Sequence, residues 1–267
     1  EGMECHLGGK GLNQSVAIAR AGSRVYQGGA AGSDGDRFFE FCAANGVSTE
    51  FIERMEGACG CAFIQVDSSS ENCIVLYSGT NKRQSREHID QVLESFEEGD
   101  LLILQNEINE LPYLIDRAYE RGMRIVLNPS PYNSQVEESD LNKIEFFLLN
   151  EVEGEQISGS REPEKILSYM KRRFPEAKVV LTLGSQGAVY QDSRQKICQP
   201  AFPAPAVDTT AAGDTFTGYF IHGIACQDSV RKSLESAAKA AAIAVSRKGA
   251  ADSIPWAGEV EAFGSLE

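Results

Sequence analysis

Short apolar runs alternate with stretches of helical periodicity along the middle of the chain. The apolar runs are LLILQ at 101–105, RIVLN at 124–128, FFLLN at 146–150 and VVLTL at 179–183. Helical patterns run from Asn109 to Arg121 and onward from Pro163, with start and stop signals of Asn, Pro and Gly. Continuous apolar strands separated by helices predict an α/β fold, in which a mostly parallel central sheet is covered by helices on both faces.

Two parts of the chain depart from this alternation. Residues 1–8 and the segments CGCAFIQVD and NCIVLYSGT, joined by the polar turn SSSE, have strand patterning with no helix between them. They predict a small β-sheet lid built from about 1–8 and 58–78. The last third of the chain predicts two helices, one after Gly213 and an Ala-rich one from about Ser229 to Arg247.

The composition is that of an ordinary globular protein, with 42% hydrophobic and 24% charged residues in 267. No internal repeat or low-complexity linker divides the sequence, so 1–267 is predicted to form a single domain. The net charge of -14 and pI near 4.8 argue against nucleic acid and anionic membranes as partners, because these need clustered Lys and Arg. Nucleotides stay possible, since a few amides and helix N-termini can bind them in one cleft.

The cysteines form an odd set without C-x-x-C spacing, which indicates reduced thiols rather than a disulfide framework or a zinc site. There are seven of them: Cys5, Cys42, Cys59, Cys61, Cys73, Cys198 and Cys226. No run of about 18 apolar residues and no charged-then-apolar leader is seen. We therefore expect a soluble, cytoplasmic protein.

The first motif with candidate chemistry is GGKGLNQSVAIARAG, from Gly8 to Gly22. Three glycines in four positions let a ligand approach the backbone, and the following helix offers unpaired N–H groups. Lys10 and Asn13 add side-chain donors, a mixture that suits a ligand rich in hydroxyl groups. Taken alone, the cluster is more typical of a strand-to-helix turn. It completes neither G-x-x-x-x-G-K-[ST] nor G-x-G-x-x-G, which disfavours P-loop and Rossmann sites.

The second motif is VDTTAAGDTFTGYF, at 207–220. Small residues allow consecutive amides to converge at a helix N-terminus and form an anion-binding nest, here at Ala211, Ala212 and Gly213. Asp214 lies at the same point. An isolated Asp there would be a helix cap, but the nest, two threonines and another aspartate precede this one, and together they favour a catalytic role.

The two motifs, in this order and about 200 residues apart, resemble the two signatures of the ribokinase family, also called the PfkB-type carbohydrate kinases. Further similar segments extend through nearly the whole chain: AGSDGDRF at 31–38, QNE at 105–107, LNPSP at 127–131, NEVEGEQISG at 150–159, TLGSQGA at 182–188 and SRKGAADSIPW at 246–256. The resemblance implies a ribokinase-like fold and an enzyme that transfers the γ-phosphoryl group of ATP to a sugar hydroxyl. It favours ribose, giving ribose 5-phosphate.

Two alternatives remain beside that implied activity. The same signatures serve kinases of other sugars, sugar phosphates and nucleosides. A sensor that binds a sugar or nucleotide without turnover is also possible, although a sensor has no need of a base such as Asp214.

The resemblance also implies roles for individual residues. Asp214 would be the catalytic base, and the amides of Ala211, Ala212 and Gly213 would hold the transferred phosphoryl group. The sugar would be bound by Gly8, Gly9, Lys10, Asn13, Glu107 and Asp214. ATP would be bound by Asn150, Thr182, Gly184, Ser185, Gly187 and Gly213.

Ions and a partner are implied in the same way. Mg²⁺ would accompany ATP, and a monovalent cation, K⁺, would lie beside the nest. The K⁺ ligands would come from Asp208, Thr210, Ala244, Arg247, Gly249 and Ser253. The lid would pair two protomers into a homodimer.

The sequence departs from the family pattern at three points. The family usually begins with a strand bearing a sugar-binding Asn-x-Asp, and this sequence, which starts at Glu1 just ahead of the glycine motif, does not include that element. Leu12 replaces a commoner Ala beside Asn13, which could narrow the sugar pocket. Ala238 stands where a polar residue often lies near adenine, which could loosen purine binding.

Overall fold

A computed structural model of the protein describes residues 6–66 and 72–264. Its helices are α1 (Lys10–Ala21), α2 (Asp36–Ala44), α3 (Arg86–Leu93), α4 (Leu111–Glu120), α5 (Ser134–Glu138), α6 (Glu151–Ser158), α7 (Pro163–Arg173), α8 (Ala212–Ala225), α9 (Val230–Val245) and α10 (Ala257–Ala262). Its strands are β1 (Val25–Ala31), β2 (Val47–Arg54), β3 (Cys61–Val66), β4 (Asn72–Tyr77), β5 (Leu101–Gln105), β6 (Arg124–Asn128), β7 (Phe146–Asn150), β8 (Lys178–Thr182), β9 (Ala188–Gln191) and β10 (Lys196–Gln199).

The main sheet has six strands in the order β10-β9-β8-β7-β6-β5. Strands β5 to β8 are parallel, while β9 and β10 add an antiparallel edge. The two faces of the central strand β7 belong to different cores: Phe146 and Leu148 pack in one, and Phe147 and Leu149 in the other. Because successive side chains of a strand point to opposite faces, the sheet is covered on both sides. The predicted fold class is confirmed.

A second, two-stranded parallel sheet is formed by β1 and β2. Strand β1 pairs only with β2, and β5 pairs only with β6, so each has one free edge within the described residues. Both strands line the same groove, whose volume is about 1150 Å³. The two sheets are therefore separated by this groove and are not hydrogen-bonded to each other in the described part of the chain.

The segment predicted as the lid contains an antiparallel hairpin of β3 and β4. The small β-sheet expected at 58–78 is thus present. Of the other predicted lid segment, residues 1–5 lie outside the described residues, and residues 6–8 have no assigned strand structure.

Helix α8 packs closely against α1 because a glycine lies at their contact. A Cβ at Gly218 would overlap the Cβ of Ala17 and lie 3.0 Å from the carbonyl oxygen of Gln14. Only a residue without a side chain allows this approach. The close packing brings together two motifs that are about 200 residues apart in the sequence.

Candidate active site

Asp214 occupies the first turn of α8, where it is 6% exposed. Both of its carboxylate oxygens accept hydrogen bonds from amides of α1. Asn13 Nδ2 donates to Oδ2 and Gln14 Nε2 donates to Oδ1, each at 2.9 Å. Burial raises the pKa of Asp214, while the positive charge of Lys10 and these two donors oppose the increase. The carboxylate is therefore firmly held, and its neighbours stabilise the ionised form.

The backbone beside Asp214 offers donors for an anion. The first turn of a helix leaves N–H groups without intrahelical partners and carries positive dipole charge. The Ala212 amide donates to the Thr209 carbonyl at 3.2 Å. Gly213 is exposed, and a Cβ there would have no atom within 4 Å. The predicted nest is thus open on the Gly213 side, while the Ala212 amide already has a partner.

The glycine motif meets the end of β5 at the same place. The Lys10 amide donates to Glu107 Oε2 at 3.1 Å. Gly9, which begins this approach, has φ 102° and could not easily be replaced by an L-residue. Burial raises the pKa of Glu107; Lys10 lowers it and the charge of Asp214 raises it further. The charge of Lys10 therefore acts on both carboxylates, Glu107 and Asp214.

Asn13 has a second polar atom at this site. Its side chain is 3% exposed, and within the described residues its Oδ1 has no hydrogen-bond partner. A buried acceptor without a donor costs roughly 1–3 kcal/mol. A ligand hydroxyl would satisfy it, as the prediction of a sugar contact at Asn13 requires.

Asp208 and Gly249, two of the predicted cation residues, come together from distant segments. Asp208 Oδ2 accepts from the Gly249 amide at 3.1 Å, and the Asp208 amide donates to the Val245 carbonyl at 3.1 Å. Asp208 Oδ1 accepts from the amide and hydroxyl of Thr210. Ser253 donates its hydroxyl to the Ala250 carbonyl at 2.8 Å. These contacts connect the loop before α8 with the loop after α9.

The cation segment also contacts the glycine motif. A Cβ at Gly8 would lie 3.0 Å from the Cβ of Ala250, and the Ala251 amide donates to the Leu7 carbonyl at 3.4 Å. The segment after α9 therefore supports both the start of α8 and the start of α1.

The predicted nucleotide residues lie at the carboxyl ends of β7 and β8. Asn150 and Thr182 are register partners on these adjacent strands. Asn150 caps α6, since its Oδ1 accepts from the Glu153 amide at 2.9 Å. A tight turn follows β8, with positive φ angles at Gly184 (53°) and Gly187 (99°). Ligand crevices of open α/β sheets lie beyond these strand ends.

Leu12 and Ala238, at which the sequence departs from the family pattern, lie in the hydrophobic core. Leu12 is 5% exposed and Ala238 is 6% exposed, and both belong to the hydrophobic core that contains Phe220.

The sequence analysis assigned no role to Gln14 or Gln105, although both lie within the motifs quoted there. Gln105 Nε2 donates to Gln14 Oε1 at 2.6 Å, which connects the end of β5 to the residue that holds Asp214.

Metal ligands, membrane-spanning helices and cysteines were also considered in the sequence predictions. No group of three or more His, Cys, Asp or Glu side chains in residues 6–66 and 72–264 is arranged to hold a metal ion. No helix in those ranges is both long and apolar enough to cross a membrane. The described cysteines Cys42, Cys59, Cys61, Cys198 and Cys226 are free thiols.

Comparison with known proteins gives consistent matches. The profile of the pfkB family carbohydrate kinases matches residues 1–257. The chain is 35% identical to a ribokinase of Haemophilus influenzae, with 96% of this chain and 86% of the relative covered. It is 31% identical to a deoxyribokinase of Salmonella typhi, with 93% and 84% covered. A ribokinase structure from Cryptococcus neoformans in complex with ADP superposes with a TM-score of 0.86 at 29% identity, covering 97% of this chain and 89% of that one.

Proposed function

The chain belongs to the pfkB family of carbohydrate kinases, and we propose that within it the chain phosphorylates ribose with ATP to give ribose 5-phosphate. The observation that carries this proposal is the buried Asp214 carboxylate, held by Asn13 and Gln14 at the anion-binding start of α8. The similarity to the Haemophilus ribokinase supports ribose. The similarity to the Salmonella deoxyribokinase makes 2-deoxyribose the second candidate. The free thiols are compatible with the cytoplasmic location that we propose.

Asp214 would accept the proton of the attacking sugar hydroxyl. Phosphoryl transfer has a loose transition state, so the protein contributes mainly by positioning groups and neutralising charge. A carboxylate is a weak base, but this is sufficient when the proton leaves late in the reaction. Burial raises the pKa of Asp214, and Lys10 and the two amide donors oppose this by favouring the ionised form that accepts the proton.

The sugar would lie between α1 and the end of β5. Asn13 Oδ1 would accept from one hydroxyl, and Glu107 would accept from others. A Cβ on Gly9 would lie 3.9 Å from Glu107 Oε2, so Gly9 lies beside this carboxylate. Since each buried hydroxyl needs a partner, this set of acceptors favours a polyhydroxy substrate.

The nucleotide phosphates would lie at the start of α8. Gly213 is exposed there, a Cβ on it would meet no atom within 4 Å, and the helix dipole favours negative charge. Asn150, Thr182 and the Gly184–Gly187 turn would hold the rest of the nucleotide beyond the strand ends. Mg²⁺ prefers phosphate oxygens and water as ligands, and when bound it would neutralise part of the phosphate charge.

A substrate panel tests this proposal. Initial rates of ADP formation would be measured with ribose, 2-deoxyribose, fructose and a nucleoside at matched concentrations. We expect the highest kcat/KM with ribose. A higher value with 2-deoxyribose would reassign the substrate, and binding without turnover of any compound would favour a sensor.

We further propose that K⁺ activates the enzyme from the site between Asp208 and the loop after α9. Carbonyl and hydroxyl oxygens with one carboxylate suit a large monovalent cation, and Asp208 already joins both loops through Gly249 and Thr210. An ion there would fix the loop that aims the start of α8.

Turnover in tetramethylammonium buffer should therefore rise by about tenfold when K⁺ or Cs⁺ is added at constant ionic strength. This is smaller than the rate factor of about 10²–10³ that a single oxyanion donor supplies, because the cation acts only by fixing the loop. Asp208→Ala should lose this activation. Equal activation by every chloride salt would exclude a specific site.

We also propose a homodimer formed through the hairpin of β3 and β4. Its Phe63, Val75, Leu76 and Tyr77 side chains are all more than half exposed. Several large apolar side chains exposed on one small element are typical of a protein interface. Sedimentation of Phe63→Glu beside a Tyr119→Glu control would test it, and we expect only the first to sediment as a monomer.

A further inference from the structure

Gln14 is buried beside Asp214, yet no step of the proposed reaction uses it. The residue is 1% exposed, less than Asn13 or Asp214. Its Nε2 donates to Asp214 Oδ1 at 2.9 Å, and its Oε1 accepts from Gln105 Nε2 at 2.6 Å. The three side chains therefore form a chain of hydrogen bonds from the end of β5 to the start of α8.

The direction of the Gln14 amide is determined by its two neighbours. A primary amide has one accepting oxygen and one donating nitrogen, whereas an ionised carboxylate only accepts. Since Gln105 donates to the Gln14 oxygen, the Gln14 nitrogen is the atom left to face Asp214. The reversed amide would place its oxygen against the carboxylate and its nitrogen against the nitrogen of Gln105.

We propose that Gln14 is a positioning residue for Asp214 and that Gln105 fixes the orientation of Gln14. Asn13 holds one carboxylate oxygen and Gln14 holds the other, so the rotation of the carboxylate is fixed from both sides. Gln14 makes no contact with substrate and acts only through Asp214. The inference rests on the proposed function, in which Asp214 is the base.

The pH dependence of turnover reports this role. Burial raises the pKa of Asp214, and the charge of Lys10 on α1 and the donors Asn13 and Gln14 lower it. Glu107, after β5, is a further charged group that interacts with Asp214. The base works only when ionised, so activity falls as pH decreases through its pKa. Loss of the Gln14 donor moves this acidic limb to higher pH.

Gln14→Met tests the proposal, because it keeps the length of the side chain and removes the amide. We expect kcat to fall by about tenfold with a smaller change in sugar KM, and the acidic limb to move up by roughly one pH unit. Gln105→Met should also lower kcat and move the acidic limb to higher pH, but by smaller amounts. The double variant should be no worse than Gln14→Met alone, because the two residues act through one chain of bonds.

The Asp214→Asn background separates positioning from a merely structural role. Without a carboxylate to hold, Gln14→Met should change the residual turnover by less than about twofold. The control is Asn45→Leu, which removes another buried amide that bonds Arg20 and Phe41 away from the site. It should leave the acidic limb in place.

The pH profile is also measured for Glu107→Gln, alone and combined with Gln14→Met. These profiles distinguish a shift of the acidic limb caused by Asp214 from one caused by titration of Glu107. An unmoved limb would overturn the role of Gln14. So would an equal loss of turnover when Gln14→Met is introduced into the wild type and into Asp214→Asn. Wild-type turnover in Asp214→Asn itself would instead overturn the proposed base.

Discussion

Asp214→Asn should lower turnover by about 10²–10⁴-fold, the usual contribution of general-base catalysis. Asn keeps the size of the side chain and can still cap α8, but it cannot take up the hydroxyl proton. Its NH₂ group would also meet one of the two donors, Asn13 or Gln14, that now bond the carboxylate. Steady-state kinetics should show the loss mainly in kcat, with a smaller change in sugar KM.

Asp192→Asn is a matched control for that experiment. The Asp192 carboxylate is also held by several donors, from Tyr190 and from the amides of Arg194 and Gln195, but it lies in the turn between β9 and β10. We expect this variant to turn over at the wild-type rate. If Asp214→Asn matched this control, another group would have to be the base.

Gly218→Ala should destabilise the fold and lower activity together. The added Cβ would overlap Ala17 and press on the backbone of Gln14, so α1 and α8 must move apart. Overpacking of this kind costs about 1–3 kcal/mol, which outweighs the roughly 1 kcal/mol that Ala gains over Gly in a helix. The displaced α1 would also carry Asn13 and Gln14 away from Asp214. Urea denaturation and kinetics on the same preparation would measure both effects.

Gly258→Ala provides the helical control, since Gly258 lies within α10 and a Cβ there would meet no atom within 4 Å. The Gly258→Ala substitution should leave the free energy of unfolding unchanged or raise it slightly. Adding Ala17→Gly to Gly218→Ala removes the principal overlap and should restore part of the lost activity. A Gly218→Ala protein as stable and active as wild type would mean that α1 and α8 are less closely packed than we describe.

The main-sheet strands could be predicted because burial on both faces makes them continuous apolar runs. LLILQ, RIVLN and FFLLN are found at the predicted bounds, and the strand expected at 179–183 begins one residue earlier. Strand β1, VYQGGAA, was not predicted, since its two glycines and polar Gln27 give neither a continuous nor an alternating pattern. Strands β9 and β10 were missed because they have only four residues each at the sheet edge.

The site was predictable in parts. Glycine-rich and small-residue segments before helices indicated where a ligand could approach the backbone. The bond between Asn13 and Asp214 spans 201 residues, however, and no local pattern can show that two such side chains meet. The family resemblance placed both residues at the sugar site, but their hydrogen bond was not predicted. The roles of Gln14 and Gln105 were not expected at all, because an amide that orients another amide leaves no periodic signal in a sequence.

The groove between β1 and β5 has a consequence for how the protein behaves in concentrated solution. Free strand edges are templates for aggregation when another chain can lie flat against them. Within the described residues, both free edges line a recess rather than the rim of a sheet, with Phe51 and Phe96 among its apolar walls. An extended chain is the partner that such edges accept, because each presents backbone N–H and C=O groups that have no ladder partner within the described residues.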